Sequence, residues 1–274
     1  MRLPLYQVDA FTDTLFAGNP AAVCPLPAWL PEPTMQRIAA ENNLSETAFT
    51  VPEPDRGGFS LRWFTPTTEV TLCGHATLAA AWILVNSHGH AAPLRFFTRS
   101  GLLEVHQGDG GAMVMDFPAL PPVGAASVAG LSAALGASPS ALYEIRQVHN
   151  AAYYLALFDT PDDVAALRPD TAALRERFGA NVIATAASTT PGVDFVSRFF
   201  APASGVDEDP VTGSAHCTLA PFWAARLGRD RLVGRQISAR GGTVGCTVVG
   251  DRVRLEGRAV VYLRGEILLP EENK

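Results

Sequence analysis

Two stretches of this chain repeat one another. Residues 62 to 80 read RWFTPTTEVTLCGHATLAA, and residues 198 to 220 read RFFAPASGVDEDPVTGSAHCTLA. Each opens Arg-aromatic-Phe-x-Pro, at Arg62 to Pro66 and at Arg198 to Pro202. Each reaches a Gly, a polar residue and Ala, at Gly74-His75-Ala76 and Gly213-Ser214-Ala215, then an apolar run holding Thr-Leu-Ala, at Thr77 to Ala79 and Thr218 to Ala220. Pro66 and Gly74 stand eight positions apart and Pro202 and Gly213 eleven, so the second copy carries a small insertion. An ordered match of strand, proline, turn and helix is hard to reach by accident. It predicts two related halves facing each other, with chemistry between them.

The local physics of the two copies agrees. Leu61 to Phe64 and Phe195 to Phe200 are aromatic and β-branched, so they read as strands ended by Pro66 and Pro202. Gly74 and Gly213 suit a tight turn with outward-pointing amides, although each could be an ordinary loop glycine. The runs Ala76 to Val85 and Ala215 to Leu227 are nearly apolar all round, which marks a buried helix. Each half is therefore expected to wrap a sheet around one central helix starting near His75 or Ser214. Two such N-termini facing one cleft would hold an anion such as a carboxylate.

Elsewhere strands dominate. Residues 3 to 11 alternate, a turn at Gly18-Asn19-Pro20 leads into a strand ending at Leu26, and Pro33 to Asn42 has helical spacing. Ala48 to Val51 reads as a strand with Glu46 just before it. A carboxylate there is most often a solvated edge charge. Beside Leu44, Ala48 and Phe49, burial with a raised pKa is the competing reading. Phe96 to Val105 and Ala112 to Phe117 form a hairpin across Gly108 to Gly111, and proline-rich 117–123 is the best place for a boundary. The expected halves are 1–118 and 119–261, with 262–274 free to rejoin the first. Beyond the boundary, Val128 to Leu135 and Pro161 to Leu167 read as helices. Tyr153 to Phe158, Asn181 to Ala186, Val193 to Phe200, Arg235 to Arg240, Thr243 to Val249, Arg252 to Glu256 and Ala259 to Leu269 read as strands. This is an α+β pattern, not a doubly wound one.

The net charge is −6 and no basic run occurs, which argues against nucleic acid or an anionic membrane as partner. No apolar stretch reaches membrane-spanning length, and Gln7 and Asp9 interrupt what an export signal would need. Cys24, Cys73, Cys217 and Cys246 form no paired or zinc-like spacing, so they read as reduced thiols of a cytoplasmic protein. No motif calls for a metal, a phosphate loop or a dinucleotide, so no cofactor is expected.

FAGNPAAV, NLSETAF, FTPTTEVTLCGHATLAAA and DEDPVTGSAH occur in this order and together resemble the PhzF-like isomerases of phenazine biosynthesis. The resemblance runs from about residue 5 to about residue 265. It implies the fold shared with diaminopimelate epimerase and proline racemase: two pseudo-symmetric halves, each a sheet rolled around a central helix. It implies Glu46 as acid/base, with His75, Asp209 and Ser214 beside it. The amides at Gly74 and Gly213 would hold a substrate carboxylate, with Asn19, Cys73 and Thr212 lining the substrate. A homodimer acting on a small carboxylate-bearing substrate is implied as well.

The related epimerases place one cysteine before the Gly of each half. Here Cys73 precedes Gly74 but Thr212 precedes Gly213, and a hydroxyl is too weakly acidic to replace a thiol. Cys217, a few residues into the helix, is a poor substitute. Three readings remain. They are a cofactor-independent isomerase that moves a proton, an amino-acid epimerase or racemase, and a non-catalytic small-anion binder on the same scaffold. The loops around Asn19, Thr65 to Glu69 and His149-Asn150 carry no legible substrate code.

Overall fold

The computed structural model describes residues 1–148 and 151–270, so His149-Asn150 lie outside the described residues. The chain divides into two compact units, Met1–Asp116 with Glu256–Lys274, and Phe117–Leu255.

The first unit runs β1 (Arg2–Ala10), β2 (Asn19–Pro25), α1 (Glu32–Asn42), β3 (Glu46–Glu53), β4 (Gly58–Phe64) and β5 (Glu69–Val70). It continues through α2 (Gly74–Asn86), β6 (Leu94–Thr98), β7 (Gly101–Gln107) and β8 (Met113–Pro118). The second runs β9 (Gly124–Ala125), α3 (Leu131–Leu135), β10 (Ala141–Val148), β11 (Ala151–Leu157), α4 (Pro161–Ala166), α5 (Thr171–Glu176), β12 (Ala180–Ala187), β13 (Phe195–Ala201) and β14 (Val206–Asp209). Then come α6 (Gly213–Leu227), β15 (Arg231–Gln236), β16 (Gly242–Val249) and β17 (Arg252–Gly257), before β18 (Ala259–Leu268) returns to the first unit.

The two units share one topology. β2 lies parallel to β3, β3 antiparallel to β4, and β4 both antiparallel to β5 and parallel to β6. In the same order β11 lies parallel to β12, β12 antiparallel to β13, and β13 both antiparallel to β14 and parallel to β15. Helices fill each of these four parallel crossovers, because a parallel return needs a connection long enough to cross the sheet. The fold is α+β with mostly antiparallel sheet around one central helix per unit, and the repeated stretch is the β4–β5–α2 and β13–β14–α6 segment.

Packing explains why α2 and α6 are apolar on all sides. His75 through Ala81, Ile83 and Leu84 of α2 are buried, against β1, β2, β3 and β18. α6 buries Ala215 through Ala220 and Phe222 to Ala224, against β15 and β16. Other helices stack their apolar faces elsewhere on the strands. Met35, Ile38 and Ala39 of α1 pack on Phe49, Val51 and Phe64. In the second unit Leu131, Val164 and Leu174, one from each of α3, α4 and α5, pack on Val182, Val196 and Phe200.

Some elements differ from the sequence reading. Phe96 to Val105 is two strands, because Arg99-Ser100 turn the chain between β6 and β7, with Ser100 N donating to Thr98 Oγ1 at 3.1 Å. β15 ends at Gln236, not Arg240, since 237–241 bends back on Ser238 Oγ, which accepts from Gly241 N at 3.1 Å. The Thr-Leu-Ala echo is not structural: counted from the N-caps Cys73 and Thr212, Thr77 is the fourth residue and Thr218 the sixth.

Candidate active site

Arg62 and Arg198 show what the repeated arginine does. Arg62 clamps Glu69 with Nε–Oε1 2.7 Å and Nη2–Oε2 2.6 Å, across the β4–β5 pair. Arg198 clamps Glu208 with Nε–Oε1 2.7 Å and Nη2–Oε2 2.8 Å, across β13–β14. Both guanidinium groups also lie over the phenylalanine two residues on, at 5.1 Å from Phe64 and 4.7 Å from Phe200. Such forked pairs fix direction as well as distance, so they set where the chain turns into each central helix. Glu69, part of the loop whose substrate code was illegible, is thus held in place, by Arg99 as well (Nη1–Oε2 2.7 Å).

Beyond the clamp, α2 starts with no acidic residue in its first turn and no side-chain cap, its N-cap Cys73 being extended (φ −147°, ψ 110°). Thr77 instead ties down the N-cap carbonyl, its N–H and Oγ1 donating to Cys73 O at 3.1 and 2.6 Å. His75 is the second residue of α2 and is 7% exposed. Its ring sits between two groups: Nδ1 is 3.5 Å from Cys73 Sγ, and Nε2 is 3.2 Å from Glu46 Oε2. Glu46 opens β3, its side chain 18% exposed. Nearby, Ser45 Oγ lies 3.5 Å from Oδ1 of Asn19, which is fully buried at the start of β2. Burial pushes the His75 pKa down to about 3. The imidazole is therefore neutral near pH 7, its contact with Glu46 is not an ion pair, and one ring nitrogen carries a proton while the other does not. The ligand atoms of Glu46, Cys73 and His75 all lie within 4.8 Å of one another, although Glu46 and Cys73 stand 27 positions apart in the chain.

The second unit builds a separate cluster. Asp209 ends β14, and Thr212 is the extended N-cap of α6. The Thr212 hydroxyl donates to Asp209 Oδ2, so it positions that carboxylate. Gln236, fully buried on β15, accepts from Thr212 N at 2.9 Å and donates to the Asp209 carbonyl at 2.6 Å. His216 Nδ1 donates to the Thr212 carbonyl at 2.7 Å, the place Thr77 takes in the first unit. Gly213 is buried and Ser214 exposed in the first turn of the helix. Burial pushes the Cys217 thiol up to about 12, so it supplies no thiolate near neutral pH.

The structure thus brings Glu46, Cys73 and His75 together, and groups Asp209 with Thr212. Gln236 and His216 escaped the sequence reading. His216 had one signal: it stands in the second copy where Thr77 stands in the first. Gln236, a lone amide in a strand, had none.

Sheet-wrapped central helices in duplicate define the class, the diaminopimelate-epimerase-like fold. A probable proline racemase from Agrobacterium radiobacter shares it, with TM-score 0.62 at 13% identity over 99% of this chain and 94% of that one. Within that class the chain belongs to the PhzC-PhzF family, whose profile, described as phenazine biosynthesis-like protein, matches residues 8–265. An uncharacterized isomerase of Pseudomonas aeruginosa is 50% identical over 98% of this chain and 100% of its own length. The crystal structure of a PhzF-family phenazine biosynthesis protein from Enterococcus faecalis superposes with TM-score 0.90 at 43% identity, covering 98% of this chain and 100% of that one. Among the described residues no helix is long and apolar enough to cross a membrane.

Proposed function

We propose that this protein is a cofactor-independent isomerase that moves a proton within a small carboxylate-bearing substrate, with Glu46 as the general acid/base. One observation carries the reading: the Glu46 carboxylate lies against a buried, neutral imidazole, 3.2 Å from Nε2. A neutral ring adds no positive charge beside the carboxylate, which favours a base that can also return its proton. His75 directs Glu46 and stabilises charge developing on the substrate. Asp209 and Ser214 orient the substrate, and the uncapped amides at Gly74 and Gly213 receive its carboxylate. The reading needs both clusters to act on one substrate.

A two-base racemase is disfavoured, because the Thr212 hydroxyl is already given to Asp209. The same reading carries a cytoplasmic homodimer, which sedimentation of the pure protein tests.

The test is exchange of carbon-bound hydrogen in heavy water, read by mass spectrometry on a panel of cyclic amino and hydroxy acids. Glu46→Gln keeps size and hydrogen bonding but removes the basic site, so exchange falls by about 10²- to 10⁴-fold while the fold survives. Exchange by Glu46→Gln at the wild-type rate would reduce Glu46 to a strand-end carboxylate.

A further inference from the structure

We propose that Glu46, Cys73 and His75 bind a single zinc-class divalent cation, and that this cation acts as a reversible block of the site. The donor set comes first. One carboxylate oxygen, one thiol sulfur and one imidazole nitrogen lie within 4.8 Å of one another, and no other such group of three occurs among the described residues. Magnesium and calcium ask for oxygen throughout, whereas a mixed oxygen, nitrogen and sulfur set suits a borderline cation such as Zn²⁺.

The distances come second. Around a tetrahedral zinc with bonds of about 2.0–2.3 Å, neighbouring ligand atoms sit roughly 3.3–3.7 Å apart. Oε2 of Glu46 is 3.2 Å from Nε2, and Sγ of Cys73 is 3.5 Å from Nδ1, so one edge already stands near that length whichever ring nitrogen takes the cation. The thiol and the carboxylate face different ring nitrogens. A cation on one nitrogen therefore draws the far group inward by roughly an ångström, within reach of one side-chain rotation.

The frame comes third. Cys73 and His75 sit two residues apart at the rigid start of α2, tied by Thr77 to the Cys73 carbonyl. His75 Nε2 is buried and makes no aligned hydrogen bond. Three protein ligands leave the fourth position of zinc for water or a small anion. Blocking follows because the cation takes the Glu46 lone pair. That consequence rests on Glu46 being the base; the binding itself does not.

Chelator-stripped protein is titrated with Zn²⁺ by calorimetry, and with Co²⁺ by absorption, since cobalt bound to thiolate shows a sulfur-to-metal charge-transfer band. One ion per chain and that band are expected. Cys73→Ser, nearly isosteric, should abolish the band. Glu46→Gln and His75→Gln should each weaken binding by more than the roughly 10- to 100-fold that losing a mere supporting partner costs. Circular dichroism confirms that each variant is folded, and Cys73→Ser carries the test should either of the others not fold. No binding by the wild type, a cobalt complex without the band, or wild-type affinity in all three variants overturns the proposal. Substrate is absent from this titration and metal from the exchange assay, so the two readings fail separately.

Discussion

At the scale of single residues, two buried histidines make the protein sensitive to acid. Burial pushes His75 down to about 3 and His216 down to about 4, the hydrogen bond to the Thr212 carbonyl only partly opposing the second shift. In the unfolded chain both titrate near 6.5, so below that pH the unfolded state binds more protons. Their stabilising contribution is complete above about pH 6.5 and is lost as pH falls toward the folded values, by about 1.4 kcal/mol per pH unit for each ring. Urea midpoints at pH 7 and pH 5 should differ, and His216→Gln should remove part of the difference. A variant as acid-sensitive as wild type would sink this account. Gly234 is the second residue-scale case. A Cβ there would meet the Phe195 ring at 2.4 Å and His216 Nε2 at 3.0 Å. Gly234→Ala should cost about 1–3 kcal/mol in chemical denaturation, the usual penalty of overpacking.

Between elements, a proline decides one contact. Pro221 lies inside α6 and has no N–H to give Cys217, four residues earlier. The Cys217 carbonyl accepts instead from Leu120 N at 2.9 Å, so the proline-rich 117–123 segment docks on the gap the proline leaves. In Pro221→Ala the new amide competes for that carbonyl. Hydrogen exchange should show residue 221 protected and Leu120 losing protection; unchanged protection at Leu120 contradicts the mechanism. The elements were unevenly legible in the sequence. Arg62 and Arg198 stand out as a repeated pair, whereas Glu69 and Glu208, seven and ten residues on, could be recognised as their partners only in the folded chain. The three-residue difference in spacing is the insertion visible in the second copy.

At the scale of the whole molecule, the first unit is discontinuous. β18 pairs antiparallel with β1 along its full length, from Arg2 with Leu268 to Ala10 with Ala259. Thr12 N donates to Arg258 O at 3.2 Å, and Gly257 lies so close to Phe11 and Leu78 that a Cβ would meet them at 2.4 and 2.8 Å. A chain cut before Ala259 loses the partner of β1 and one wall around α2. Exchange protection should collapse in 1–116 and persist in 117–255, which keeps its own core. Persistent protection along β1 in the shortened chain would show that β18 is dispensable.

The repeat, the two apolar helices and the strand-rich remainder were readable because they depend on local order: periodicity, β-branched and aromatic runs, glycine and proline. Glu46 and His75 stood out through the motifs around them, not through any sign that they touch. Only the tertiary structure set Glu46 against His75, laid Cys73 on the other ring nitrogen, and locked Thr212 between Asp209 and Gln236. The parallel pairs β2–β3 and β11–β12, and the return of β18, were likewise its decision. The reason is physical. Alternation along a strand says which side chains share a face, but the neighbour and register come from packing across the sheet. The proton affinity of His75 follows from that packing too, because burial, not residue type, holds it neutral.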